Sequence, residues 1–287
     1  MANARVRTIK NISFVTAHFF DFNWTKNWID RIRTFTDYDL IREFLIVNQD
    51  RNIASQKKLE KLDPKVKVVE YPVNQELFER QGHDHAHVLN LAIGEAQGEF
   101  ICVLDTDCHP ISPQWIQTCE TILLEKDAIT AVDYYQLKNN SKLLSHPCFM
   151  LLQQKVIPNQ LDFAEGLFDE NIDTGRLIGR QLEQAGCRVY YAVPVKAFRS
   201  YWGFIYINSF YHHERGSYSG GDQRLKKQND WRQNFFKRIV ISGKRYDFNK
   251  FEYLFYRYYY LNRPNFNSIS SNLLELPSKI FRKFLNR

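Results

Sequence analysis

The sequence has no CxxC pair, no internal repeat, no low-complexity tract and no apolar run near the roughly 18 residues that a bilayer-spanning helix needs. Its five cysteines, Cys102, Cys108, Cys119, Cys148 and Cys187, are odd in number, and Cys102 sits inside an apolar run. This argues against a disulfide framework and for free thiols in a reducing compartment. Residues Met1 to Lys10 are basic and show no signal-peptide pattern, so a cytoplasmic protein is expected. What remains is an ordinary globular composition: 287 residues, 44% hydrophobic and 25% charged, enough for one large α/β domain or one domain with an appendage. A net charge of +7 favours anionic partners, and nucleotide phosphates, nucleic acid and an anionic membrane all satisfy it.

The first 135 residues alternate short apolar, β-branched runs with helical patterns. Strands are predicted at 12–17, 43–47, 66–71, 100–104 and 128–132, and helices near 24–36, 52–61, 84–96 and 113–125. Ser112 is a candidate N-cap with Pro113 at the first helical position, and Gly98 is a stop signal for the preceding helix. Strands joined by single helices imply right-handed crossovers and an open, mostly parallel, Rossmann-like sheet. Farther on, 148–152 and 188–193 read as strands and Asp173 to Ala185 as a helix. The polar segment 212–230 reads as a mobile loop, and basic and aromatic residues interleave from Trp231 onward.

In such a sheet, ligands bind outside the carboxyl ends of the strands. The strand at 100–104 runs directly into Asp105-Thr106-Asp107, placing two carboxylates two residues apart beyond a buried strand. Hard divalent ions prefer oxygen ligands and often share one or two carboxylates with substrate phosphates. The competing reading is a pair of loop acids capping the next helix.

The stretch His87-Val88-Leu89-Asn90, followed by Ala96-Gln97-Gly98 and the strand into Asp105-Thr106-Asp107, resembles the central motif of family 2 glycosyltransferases with the GT-A fold. Pro113 and Trp115 extend it, and the resemblance covers about residues 10–215. It implies a nucleotide-diphosphate-sugar donor, with Mn2+ or Mg2+ bridging Asp107 and the diphosphate and Asp105 touching the sugar or ribose. It also implies that Thr16, Ala17 and His18 line the nucleoside pocket and that Asp50 contacts the base or ribose. The family's Asp-x-x-Ser after the second strand is replaced here by Asn48-Gln49-Asp50-Arg51, and a turn role for Asp50 stands beside the binding role. Asn90 and Thr106 belong to the donor set through the same motif.

The segment Phe168 to Gly175 resembles the family's acceptor-side acidic segment and makes Asp173 the candidate base, with Asp169 and Glu170 as substitutes. A plain N-cap is the alternative for Asp173. By the same resemblance, a histidine after the last core strand completes the metal set; His213 is preferred to His212, and Arg215 or Lys226 could pair with phosphate oxygens. The cluster His83, His85 and His87 is set aside as a zinc site, because its rings diverge at a helix start and no fourth ligand is near.

The expected organisation is a donor half at 8–135, an acceptor half at 136–215 of the same GT-A domain, and a loop with a helical, aromatic-rich extension at 216–287. That extension suits a packed helix with a solvated basic face better than an anionic membrane surface, which would make the protein peripheral at the inner face. No nucleic-acid-binding module is recognised. The expected activity is a metal-dependent, inverting, hexosyltransferase-type reaction with a saccharide, lipid-linked or protein hydroxyl as acceptor. Two rivals are an inactive nucleotide- or glycan-binding protein of the same fold and a nucleotidyltransferase acting on sugar phosphates. The latter would carry a Gly-rich loop where this chain has Phe19-Phe20-Asp21-Phe22.

Overall fold

A computed structural model of the chain describes residues 8–19, 22–50, 52–79, 83–132, 143–158, 161–166, 173–197 and 203–213. The expected loop and extension at 216–287, together with Asp169, Glu170, Arg215 and Lys226, lie outside them. Strand β1 (Ile12–His18) leads through α1 (Phe22–Phe35) to β2 (Ile41–Asn48), and α2 (Ile53–Glu60) leads on to β3 (Val66–Glu70). Helices α3 (Gln75–Glu79) and α4 (His83–Glu95) precede β4 (Phe100–Leu104) and a short β5 (Cys108–Pro110). Then come α5 (Trp115–Leu123), β6 (Ala128–Val132), β7 (Ser145–Gln153), α6 (Ile178–Gln184) and β8 (Val189–Ala192). Three further short strands follow: β9 (Pro194–Ala197), β10 (Phe204–Tyr206) and β11 (Phe210–His212).

Among the described residues the main sheet has seven strands in the order β3-β2-β1-β4-β7-β6-β8, and of these only β7 runs against the rest. This is the expected mixed α/β architecture with a mostly parallel sheet and flanking helices. The order β3-β2-β1-β4 is that of a doubly wound sheet, whose strand order reverses between β1 and β4. Strand β7, from beyond residue 135, inserts between β4 and β6, so segments from both sides of that boundary share one core. A second sheet, β5-β11-β10-β9, is antiparallel throughout.

Strand alternation divides the apolar side chains between two faces. Phe14, Phe44 and Cys102 pack with Trp28 and Ile32 of α1 and Trp115 of α5. Val15, Leu45 and Val103 pack with Ala86 and Leu89 of α4 and Ile178 of α6. Each large side chain buried this way contributes about 1.5–3 kcal/mol. Among the described residues no helix is long and apolar enough to cross a membrane.

The entry into β4 is fixed by a buried polar clamp. Glu43 Oε1 accepts the Ser13 hydroxyl at 2.6 Å and the Gln97 N–H at 2.8 Å, while Ser13 Oγ accepts the Gly98 N–H at 2.8 Å. A Cβ at position 98 would lie 2.5 Å from the Asn11 carbonyl oxygen and the Ser13 nitrogen. Gly98 therefore does more than end a helix: it lets the backbone approach β1 closely enough for β4 to pair there.

Three local expectations are corrected. Helix α5 is capped at Gln114 rather than Ser112; the Ser112 hydroxyl oxygen accepts the Gln114 N–H at 3.2 Å in a preceding turn that also holds Pro113. The helix expected from Asp173 begins only at Ile178, because Gly175 takes φ +68° and residues 174–177 form a turn. His212, expected in a loop, is the last residue of β11.

Candidate functional site

The switch point between β1 and β4 opens at the carboxyl ends of both strands, where His18 and Asp105 stand. Past β4, residues 105–108 close a tight turn in which the Asp105 carbonyl accepts the Cys108 N–H at 2.8 Å. The turn hands the chain to β5, which pairs with β11 so that Cys108 lies opposite His212. Asp107 is fixed on the same ladder, its carbonyl accepting the His213 N–H at 2.9 Å.

Three side chains converge there. His212 Nε2 lies 3.5 Å from Asp107 Oδ1 and 3.8 Å from Asp105 Oδ2. One ligand atom from each of Asp105, Asp107 and His212 falls within 4.8 Å of the others. Two carboxylates and one imidazole fit a hard-to-borderline divalent ion, and the nitrogen favours Mn2+ over Mg2+. His85 Nε2 stands 3.9 Å from the other oxygen of the same carboxylate, Asp105 Oδ1. Burial would lower the His212 pKa, but Cys148 and the carboxylates of Asp107 and Asp105 outweigh it and push it up to about 10.

His213, the residue preferred from sequence, faces elsewhere. Its Nδ1 hydrogen-bonds the Tyr211 hydroxyl at 2.7 Å and its ring lies 5.0 Å from that of Trp24. A strand turns successive side chains to opposite faces, so only one of the two adjacent histidines can meet the acids.

The remaining donor-side candidates occupy several places. Thr16 and His18 are buried two residues apart on β1, while Ala17 packs on the opposite face against the cluster containing α4. His18 Nδ1 is 2.7 Å from Thr25 Oγ1, and burial lowers the imidazole pKa to about 4 despite the nearby Asp50. His18 is thus neutral at physiological pH. Asp50 lies in the turn after β2, where Oδ1 accepts the Asn52 N–H at 3.0 Å, the turn role weighed from sequence. Asn90 holds the loop at 161–166: its Nδ2 donates to Asp162 at 2.6 Å and its Oδ1 accepts the Phe163 N–H at 2.9 Å. Thr106 is buried inside the tight turn.

Asp173 sits on an exposed turn, with Oδ2 3.2 Å from the Arg176 guanidinium and Oδ1 accepting the Thr174 N–H at 2.8 Å. The Arg176 carbonyl accepts the N–H of Ser145, the first residue of β7, at 3.0 Å. Because β7 is antiparallel, its start lies beyond the carboxyl end of β4 and level with that of β6. Asp173 therefore stands on the ligand side of the sheet, with Ser145 about 10 Å along β7 from Cys148.

Two participants had no sequence signal pointing to them, His146 and Cys148. Cys148 passes its carbonyl to the Asp105 N–H at 3.2 Å, and His146 has its ring 5.3 Å from that of His212. His85 shows that one histidine of a set whose rings diverge can still stand near an acid from another element.

No family model matches the chain, and no curated protein sequence matches it. Among solved structures, the mannosyltransferase PcManGT from Pyrobaculum calidifontis in complex with GDP-Man and Mn2+ is similar at 14% identity, over 82% of this chain and 69% of that one, with a TM-score of 0.45. TarS 1–349 from S. aureus is similar at 14% identity over 94% and 78%, with a TM-score of 0.48. The 4-diphosphocytidyl-2C-methyl-D-erythritol synthase from Anaerococcus prevotii DSM 20548 is similar at 11% identity over 78% and 96%, with a TM-score of 0.43. These likenesses are distant, and the chemistry rests on the side chains of this chain.

Proposed function

We propose that the protein is a metal-dependent glycosyltransferase of the GT-A type, similar to family 2, that moves a sugar from a nucleotide-diphosphate donor to a hydroxyl acceptor with inversion. The observation that carries this reading is the convergence of Asp105, Asp107 and His212 at the carboxyl end of β4, beside the switch point of a doubly wound sheet. A divalent ion held there neutralises charge on a departing diphosphate. Thr16, neutral His18 and Asp50 border the nucleoside end, and Asp105 faces the sugar or ribose. Asp173, on the ligand side of β7, takes the proton of the acceptor hydroxyl. The acceptor oxygen then bonds the anomeric carbon from the face opposite the breaking bond to the diphosphate, and the nucleoside diphosphate leaves with that bond's electrons. The acceptor is a saccharide, a lipid-linked oligosaccharide or a protein hydroxyl.

Thermal-shift measurement against a panel of nucleoside diphosphates and their sugars, with and without Mn2+, tests the donor site. A metal-dependent shift that Asp107→Ala abolishes is expected. If no nucleotide stabilises the protein, or if Asp107→Ala responds equally to the metal, the reading is wrong. Release of a nucleoside diphosphate rather than pyrophosphate separates transfer of sugar from transfer of a nucleotidyl group.

A further inference from the structure

Behind His212, on the side of β7, lies a second set of ligand-bearing side chains. One donor atom from each of His146, Cys148 and His212 falls within 4.8 Å of the others. Cys148 is wholly buried, His212 is 3% exposed and His146 is half-buried. The donor set is two imidazoles and one sulfur, which differs in kind from the two carboxylates and one imidazole beside it.

The backbone explains why these groups meet. Strand β7 pairs with β6 at Met150 and again only at His146, so residues 147–149 have no partner on β6. Pro147 stands in this bulge, where a residue lacking an N–H costs no ladder bond. Freed from β6, the segment stays paired to β4 at Phe149, and the Cys148 carbonyl accepts the Asp105 N–H at 3.2 Å. His146 and Cys148, two residues apart, thus approach the acidic turn from behind, and β11 brings His212 from the other side. His146 Nδ1 accepts the Cys148 N–H at 3.1 Å, a bond the ring gives up when it takes an ion.

We propose that His146, Cys148 and His212 form a second cation site, suited to a soft or borderline ion such as Zn2+ and sharing His212 with the Asp105–Asp107 site. Thiolate and imidazole donors select Zn2+, whereas carboxylates suit Mn2+ and Mg2+. Tetrahedral Zn2+ with nitrogen at about 2.1 Å and sulfur at about 2.3 Å needs its ligand atoms about 3.5 Å apart, so a modest inward rotation of the rings closes the site. A neutral imidazole offers one free lone pair, its other nitrogen carrying a proton, so the His212 ring serves one ion at a time. The two ions therefore compete: soft metal drawn to Cys148 takes His212 from the acids. This inference rests on the donor set alone and stands whether or not the protein transfers sugars.

Cobalt substitution tests it, since a cobalt–thiolate bond absorbs by charge transfer in the near ultraviolet and cobalt on oxygen and nitrogen alone does not. The full chain, stripped with chelator and titrated with Co2+, is expected to develop that band, and Zn2+ is expected to bleach it. Cys148→Ser should lose the band and bind Zn2+ more weakly by about tenfold or more. Asp107→Asn should keep the band while losing the Mn2+-dependent thermal shift, which separates this site from the acidic one. His146→Gln supplies an independent variant, expected to weaken Zn2+ with Cys148 intact, and near-ultraviolet circular dichroism of each metal-free variant checks the fold. No band on the cobalt-loaded wild type overturns the proposal, as does a band that survives Cys148→Ser or a Zn2+ affinity unmoved by His146→Gln.

Discussion

The two walls of the site are built by different means. The acidic wall comes from one continuous stretch: helix α4, the Gly98 approach, buried β4 and the turn at Asp105-Thr106-Asp107. The opposite wall comes from β7 and β11, which reach the same place through the bulge at Pro147 and a small antiparallel sheet. The first is specified by neighbours in sequence and the second by pairings across the chain. Damage to one should therefore leave a different signature from damage to the other.

The largest expected effect lies in the local wall. On the proposed reading Asp107→Ala removes a metal-holding carboxylate, and with it charge stabilisation worth several kcal/mol, so transfer to acceptor should fall by about a thousandfold or more. Rates measured with saturating donor and Mn2+ check this. Asp173→Asn should lower transfer by about 10²- to 10⁴-fold with donor binding unchanged. Full transfer by that variant would remove Asp173 as the base.

Acid should also strain β1, the strand beside the local wall. His18 has its pKa lowered by burial from 6.5 to about 4, so between those pH values the unfolded chain holds a proton that the folded chain refuses. Stability from this group is complete above pH 6.5 and is lost as pH falls to 4, a total of about 3 kcal/mol. Melting curves from pH 7 to 4 should be shallower for His18→Asn than for the parent, and parallel curves would assign the acid sensitivity elsewhere.

The assembled wall breaks at a glycine. Gly203 has φ +93°, and a Cβ there would lie 2.0 Å from the His212 carbonyl oxygen. Gly203→Ala should cost about 2 kcal/mol and disturb the β10–β11 pairing. It should weaken Mn2+ while sparing metal-independent nucleotide binding; equal loss of both would mean that the walls are not separable. The finest distinction is between adjacent histidines. His212→Gln should weaken Mn2+ by about tenfold or more, and His213→Gln by much less, because only the former faces Asp105 and Asp107.

The same division decides what could be read from the sequence. The strands around Phe14, Phe44 and Val103 were legible as short β-branched runs, and the acids were legible because a buried strand ends at Leu104. His212 against His213 was not: the answer depends on the phase of a three-residue strand whose partner, β5, lies about a hundred residues earlier. Nor does any periodicity announce that β7 inserts between β4 and β6, or that it bulges away from β6 around Pro147. The premature helix start at Asp173 has a narrower cause. The spacing of Leu177, Ile178 and Leu182 is helical, but one left-handed glycine delays the first turn.

The pairing of β5 with β11 also sets an order of events. Asp105 and Asp107 leave the ribosome about a hundred residues before His212, and at about 5–20 residues per second the interval is roughly 5–20 s. During that time the nascent chain carries the two acids without the His212 imidazole. The three side chains come together only after Phe210–His212 has zipped against Cys108–Pro110, so on the proposed reading metal loading would be a late step rather than a nucleus for folding.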